Sequence, residues 1–288
     1  MSDAAGFLVI DKPPGLTSQQ VVSRVKRALG AKKAGHAGTL DPMATGVLVV
    51  GVGRATRLLG YLSGHDKRYE ATIRLGQATT TDDAEGEPLG EPADTSQLTA
   101  AQIDAALASF VGEIEQVPAS VSAIKVDGKR AYARVRAGED VSLPPRKVRV
   151  FSLERIPTPS LAEIQIQVHC SSGTYIRAIA RDLGQLLGVG GHLTALRRTS
   201  VSAFDLSQAV SLDEVDDTAE LISLSAVARE VFDSLEVGPA EAADVGFGRA
   251  ISNPGDTAEL VAIFADGEFL ALYAPEGLKL KPVAVFLG

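Results

Sequence analysis

The sequence predicts an α+β protein, on three observations. Short apolar stretches with strand character recur at residues 7–10, 47–52, 68–75, 148–156 and 163–170, the third and fifth alternating apolar with polar. Between them lie segments with the start and stop signals of helices. From about Ser234 the pattern changes to a small module of its own.

Taken in order, the strand at 7–10 runs into a turn at Asp11-Lys12-Pro13-Pro14-Gly15. Thr17 or Ser18 then caps a helix whose apolar stripe is Val21, Val22, Val25 and Leu29 and which Gly30 stops. Arg24, Lys26, Arg27, Lys32 and Lys33 cluster on and just after it, either as a solvated face or as a guide for phosphate. After a glycine-rich turn at 35–46 come a buried strand at 47–52 and a helix at 55–62. Gly51-Val52-Gly53 is not a nucleotide loop, because neither Gly-Lys-Ser/Thr nor a third fingerprint glycine follows.

Residues 79–90 read as a polar, acidic loop, and Thr99 with Gln102 forms a capping box for a helix to about Phe110. Residues 121–149 carry eight Lys/Arg, one aromatic and a Pro-Pro pair in a loop of about thirty residues. Loops longer than about fifteen residues in compact domains are usually functional or disordered. A helix at 174–187 ends at Gly188. The terminal module reads as a strand at 235–237, a helix at 240–246, a hairpin at 261–274 around Asp266-Gly267 and a last strand at 283–287.

The 288 residues, 45% of them hydrophobic, suffice for one sizeable core and a smaller appended domain. No apolar run is long enough to span a bilayer and residues 1–6 lack a signal pattern, so a cytoplasmic location without a membrane partner is expected. The lone Cys170 excludes an internal disulfide and sits in an alternating run, as a structural thiol does. His36, His65, His169 and His192 are far apart and give no metal-ligand spacing, so no metal is expected. The net charge of −8 is unevenly placed: residues 1–80 and 121–200 together carry +13, and the remainder −21. A polyanion can meet a basic face on an acidic protein, since local potential governs binding.

The turn Gly35-His36-Ala37-Gly38-Thr39-Leu40-Asp41-Pro42-Met43-Ala44-Thr45-Gly46 concentrates the special residues. Asp-Pro alone is an ordinary helix start. The whole string, however, resembles the active-site motif of the TruB family of tRNA pseudouridine synthases, with Ala37 where a threonine is common. Gly76, Thr79, Thr81, Asp83 and Gly86, the stretch Ser171-Ser172-Gly173-Thr174-Tyr175-Ile176-Arg177 and the stretch from Gly190 to Thr199 resemble further segments of that family, so the resemblance covers nearly all of residues 7–204.

The resemblance implies a pseudouridine synthase fold: a central, mostly antiparallel sheet flanked by helices in residues 1–230, with a thumb insertion at about 121–149, and a small PUA-like domain at 234–288. It implies isomerisation of the uridine at position 55 in the T-loop of tRNA, with Asp41 as nucleophile, Arg177 as its ion-pair partner and Tyr69 as a stacking platform that also handles a proton. His36 would fill the gap left by the flipped nucleotide, and Tyr175 and Leu196 would wall the base pocket. Lys12 and the thumb residues Lys125, Lys129, Arg130, Arg134 and Arg136 would contact phosphates. The partner is the T-arm of tRNA, with no guide RNA and no obligate protein partner, since guide-dependent relatives lack the thumb. No cofactor is required for a redox-neutral rearrangement of one substrate.

The chemistry supports that reading independently. Breaking a C–N glycosidic bond, turning the uracil and joining its C5 to the ribose needs an unstacked base, one carboxylate and a pocket that excludes water. Attack at C1′, attack at C6 and assistance to a glycal-forming elimination all remain open for Asp41. A retaining glycosidase fits less well, because no second carboxylate accompanies Asp41 in its motif. The alternative from another class is an RNA-binding or tRNA-folding chaperone whose role does not need Asp41. Residues 201–288 hold four cations against sixteen acidic groups, which sets the usual RNA-binding role of a PUA-like module against its charge.

Overall fold

A computed structural model describes residues 5–119, 125–126, 129–130 and 143–287. The architecture is α+β. Eight principal strands build the central sheet: β1 (Gly6–Lys12), β2 (Ala34–His36), β3 (Thr45–Val52), β4 (Lys67–Leu75), β5 (Gly112–Gln116), β6 (Arg146–Ile156), β7 (Glu163–Cys170) and β8 (Gly191–Val201). Their order is β1-β3-β8-β4-β7-β6-β5, with β2 paired to β3, Val210–Ser211 added beside β1 and Phe204–Asp205 beside β8. Only β3–β8 and the pairing of β1 with Val210–Ser211 are parallel; the other pairings of this sheet are antiparallel.

Among the described residues four helices accompany it: α1 (Ser18–Ala28), the short α2 (Leu59–Ser63), α3 (Ala100–Ala108) and α4 (Ile176–Leu186). Thr17 caps α1 and Thr99 caps α3, each in a reciprocal capping box with the glutamine three residues on. Val21, Val22 and Val25 of α1, Ile103 and Leu107 of α3 and Ile179 and Leu183 of α4 pack onto one sheet face, against Leu48, Val50, Ile73, Ile164 and Ile166.

A second, five-stranded sheet contains β9 (Asp233–Glu236), β10 (Ile251–Ser252), β11 (Val261–Ala265), β12 (Glu268–Glu276) and β13 (Lys279–Val285), in the order β9-β11-β12-β13-β10. Helices α5 (Leu224–Val231) and α6 (Pro239–Gly246) accompany it. Its Phe264, Phe269, Leu272 and Phe286 join Phe7, Val9, Val47 and Val49 in one apolar cluster on the other face of the central sheet. This explains two kinds of strand in the sequence. The unbroken apolar runs β1 and β3 are buried on both faces, whereas β4 and β7 alternate because one of their faces meets water.

The structure differs from the sequence reading in four places. Residues 146–149 belong to β6, so the basic segment ends in a strand rather than in loop. The expected helix at 55–62 is a 3₁₀ turn, Gly53–Arg57, followed by α2. The strands β2, β5, β8 and β10 and the helix α5 were not expected from the sequence, and the last strand, expected at 283–287, is Lys279–Val285; β2, β5, β10 and α5 are short, and in β8 Arg197-Arg198 disguises the apolar pattern.

Candidate active site

The Asp41 turn is irregular backbone, and its carbonyl oxygens are satisfied by side chains from elsewhere. The Lys12 ammonium, at the end of β1 and 0% exposed, donates to the carbonyls of Pro13 (2.9 Å), Pro42 (3.1 Å) and Ala44 (2.6 Å). An ammonium has three hydrogens, and all are engaged. Lys12 is therefore not a phosphate contact, as the sequence suggested, but a fastening beneath the turn. Burial lowers its pKa to about 8 against the opposing pull of Asp41.

From the far side Arg198 of β8, also buried, donates to the carbonyls of Val47 (2.8 Å), Gly38 (3.0 Å) and Thr39 (3.4 Å). Ser18 Oγ accepts from the Leu40 amide at 2.8 Å and donates to the Leu40 carbonyl at 3.0 Å. Gly46 holds φ +96°, and a Cβ there would lie 2.2 Å from the Arg198 carbonyl oxygen, so only glycine lets β3 and β8 meet. No helix begins at Asp41-Pro42, which removes the capping reading.

Arg177 enters from the first turn of α4. The start of that helix is fixed by buried Gln116, whose side chain accepts from the Tyr175 amide (2.7 Å) and donates to the Tyr175 carbonyl (3.0 Å). Arg177 is 4% exposed and so points into the interior rather than along the surface of α4. Its Nε lies 3.0 Å from Asp41 Oδ2, and its Nη1 lies 3.3 Å from Asp83 Oδ2 and donates to the Thr81 carbonyl at 2.9 Å. Asp83 is itself buried and accepts from Thr81 Oγ1 (2.5 Å) and the Glu85 amide (3.1 Å).

The Asp41 carboxyl, 35% exposed at the cavity, is the accessible member of this pair of carboxylates. Arg177 pulls its pKa down, but the net direction is upward, because burial outweighs the Arg177 charge and Asp83 adds repulsion.

Asp41, Tyr69, Tyr175, Arg177 and Leu196 line one cavity of about 260 Å³, together with Gly38, Ser63, Lys67, Gly173 and Arg198 among others. Tyr69 lies opposite Arg198 in the β4–β8 register, and burial raises its pKa, so its hydroxyl keeps its proton. The Arg146 guanidinium lies 5.8 Å from the Tyr175 ring centre. His36 is not among the lining residues; it ends β2 opposite Val50, two residues before Gly38, which is. His192 is buried, with Nδ1 2.7 Å from the Gln77 carbonyl.

Lys125 and Lys129–Arg130 are described only as backbone of a short antiparallel pair; their side chains, and all of Arg134 and Arg136, lie outside the described residues. Arg24, Lys26 and Arg27 on α1 are exposed.

Sequence reasoning missed Lys67, Arg198, Asp83 and Gln116 as parts of this site. Asp83 and Arg198 stood inside quoted motifs, and period two in β8 would have placed Arg198 beside Leu196 on the buried face. Gln116 carried no signal. Among the described residues no three His, Cys, Asp or Glu side chains are placed to hold a metal ion, and no helix is long and apolar enough to cross a membrane.

The fold recurs in solved structures. A Cbf5–Nop10–Gar1 complex matches with TM-score 0.77 at 26% identity over 98% of this chain and 85% of the other. An H/ACA RNP bound to a substrate RNA containing 2′-deoxyuridine matches with TM-score 0.75 at 25% identity and the same coverage. The sheet order and flanking helices are those of the pseudouridine synthase fold.

Family models match along the chain: the TruB family pseudouridylate synthase N-terminal domain over residues 26–176, the tRNA pseudouridylate synthase B C-terminal domain over 177–237, and the tRNA pseudouridine synthase II C-terminal domain over 232–287. Proteins named tRNA pseudouridine synthase B are 53% identical in Cutibacterium acnes, covering 96% of this chain and 95% of the relative, and 49% identical in Thermobifida fusca, covering 99% of each. The chain belongs to the TruB family of pseudouridine synthases.

Proposed function

We propose that this enzyme converts the uridine at position 55 in the T-loop of tRNA to pseudouridine, acting without a guide RNA, with Asp41 as the reacting carboxylate. The single observation that carries this reading is the Arg177–Asp41 pair, 3.0 Å long, at the wall of a cavity also lined by Tyr69, Tyr175 and Leu196. A flipped uracil stacks on Tyr69 between Tyr175 and Leu196, which excludes water while the glycosidic bond is open. Arg177 holds the carboxylate ionised and aimed against the cost of its burial. Tyr69, whose hydroxyl keeps its proton, serves as platform and hydrogen-bond donor rather than as a base. Asp83 is 5% exposed, so the site offers one carboxylate to the substrate, unlike a retaining glycosidase. His36 in the gap left by the flipped nucleotide, and the cations of the 121–149 segment on the T-arm phosphates, complete the proposal.

Its test is tritium release from C5 of uracil in an unmodified tRNA transcript by wild type and Asp41→Asn, with tRNA binding measured on both. Release by wild type alone, with binding intact in both, is expected. Tight binding without release by wild type would favour the RNA-chaperone reading instead.

A further inference from the structure

Lys67 is a buried cation at the cavity to which the reading above gives no task. It opens β4 two residues before Tyr69, on the same strand face, and lines the cavity with Ser63, Gly38 and Arg198. Side chains at i and i+2 on a strand stand about 7 Å apart, so the ammonium is within reach of the edge of a ring lying on Tyr69. Lys67 Nζ donates to the carbonyls of Ser63 (3.0 Å) and His65 (2.6 Å). These take two of its three hydrogens, and the third has no acceptor among the described residues. Lys12 differs: all three of its hydrogens go to backbone carbonyls.

We propose that Lys67 donates its third hydrogen bond to a carbonyl oxygen of the flipped uracil and stabilises the negative charge that develops there as the base leaves the ribose. The inference rests on the cavity being the uracil site. When the C1′–N1 bond breaks, its electron pair goes to uracil N1 and spreads to O2 and O4. C1′ is then satisfied either by a bond to an Asp41 oxygen or, after loss of the C2′ proton to the carboxylate, by a C1′=C2′ double bond. Lys67 keeps its proton throughout; only the strength of its hydrogen bond changes. A donor fixed in a dry site gains most when charge arrives on its acceptor, which makes this a transition-state contact rather than a contribution to tRNA affinity.

The groups facing Lys67 are Arg198 from β8, Cys170 from β7, and Asp66 and His65 from the segment just before β4. Burial and Arg198 lower its pKa to about 8. The protonated form is the donor, so the contribution is complete below that pH and lost as the pH rises through it.

The experiment measures kcat, KM and tRNA binding by tritium release from an unmodified transcript for wild type, Lys67→Met and Lys67→Arg, across pH. Lys67→Met is expected to lower kcat about 100-fold with KM and binding nearly unchanged. Lys67→Arg is expected to restore most of the rate and to push the alkaline fall of kcat to higher pH. Three results overturn the inference. One is a raised KM with unchanged kcat, as for a phosphate contact. Another is an alkaline limb that Lys67→Arg leaves in place, since Lys12 also has a pKa of about 8 and would then own it. The third is a lowered melting temperature in both variants with a proportionate loss of rate, the mark of a purely structural lysine. Absence of release by wild type would instead sink the uridine reading itself.

Discussion

Charged side chains serve opposite ends in the two large sheets of this molecule. Around Asp41, the cations Lys12, Lys67, Arg177 and Arg198 are buried, and each donates to backbone carbonyls at 3.4 Å or less. In the five-stranded sheet and the α6 segment beside it the ion pairs Lys281–Glu276 (2.6 Å) and Arg249–Asp244 (3.0 Å) are well exposed, and the interior is apolar, with Ile263, Leu272, Tyr273 and Leu280.

The difference follows from the backbone. In β11–β12–β13 the ladders satisfy the carbonyls, so charge stays in water. The turn at 37–44 presents the Asp41 carboxyl to the cavity and is not a ladder; the carbonyls of Gly38, Thr39, Pro42 and Ala44 need donors brought from other strands. Buried cations are the means by which an irregular catalytic loop is made rigid.

If this contrast holds, Arg198→Met should be the most damaging single change to stability. It leaves carbonyl acceptors without their donor and should cost about 3 kcal/mol or more in urea unfolding. A loss under 1 kcal/mol would show that the turn does not depend on its fastening. Gly46→Ala should behave similarly, through the 2.2 Å clash with the Arg198 carbonyl.

Next in size is Arg177→Met, expected to lower kcat about 100-fold, as loss of a preorganised charge does. It should also move the acid limb. In the proposed role Asp41 acts ionised, and its pKa stands above the usual aspartate value, so activity is expected to fall as the pH drops through that raised value. Without Arg177 the lowering influence goes and Asp83 repels unopposed, so the limb shifts to higher pH; a shift to lower pH would contradict the role given to the arginine.

Tyr69→Ala should weaken tRNA binding by the stacking energy of one base, about 1 to 3 kcal/mol, while Tyr69→Phe binds nearly normally. Comparing the two in a filter-binding titration, alongside their rates, separates stacking from the hydroxyl. At the small end, Lys281→Ala in the other sheet should change stability by less than about 1 kcal/mol, since both partners in its ion pair are exposed. A larger effect would blur the contrast between the two sheets.

The sequence by itself determined the family, the α+β class, the capped helices α1 and α3, the alternating strands β4 and β7, and the residues Asp41, Tyr69, Tyr175, Arg177 and Leu196 that the structure gathers round one cavity. These are legible because caps, periodicity and dense motifs are local: each signal lies within a dozen residues.

What only the tertiary structure decided is where each charge goes. Lys12 looked like a phosphate contact and Arg198 was given no role, yet both are buried against the Asp41 turn, 29 and 157 positions away in the chain. Asp83 and Gln116 became parts of the site only when the fold set them against Arg177 and Tyr175. The second buried face of β1 and β3 is covered by side chains more than 200 residues later in the chain. A side chain's type states which hydrogen bonds it can make; which carbonyl needs one is known only after the backbone has closed on itself.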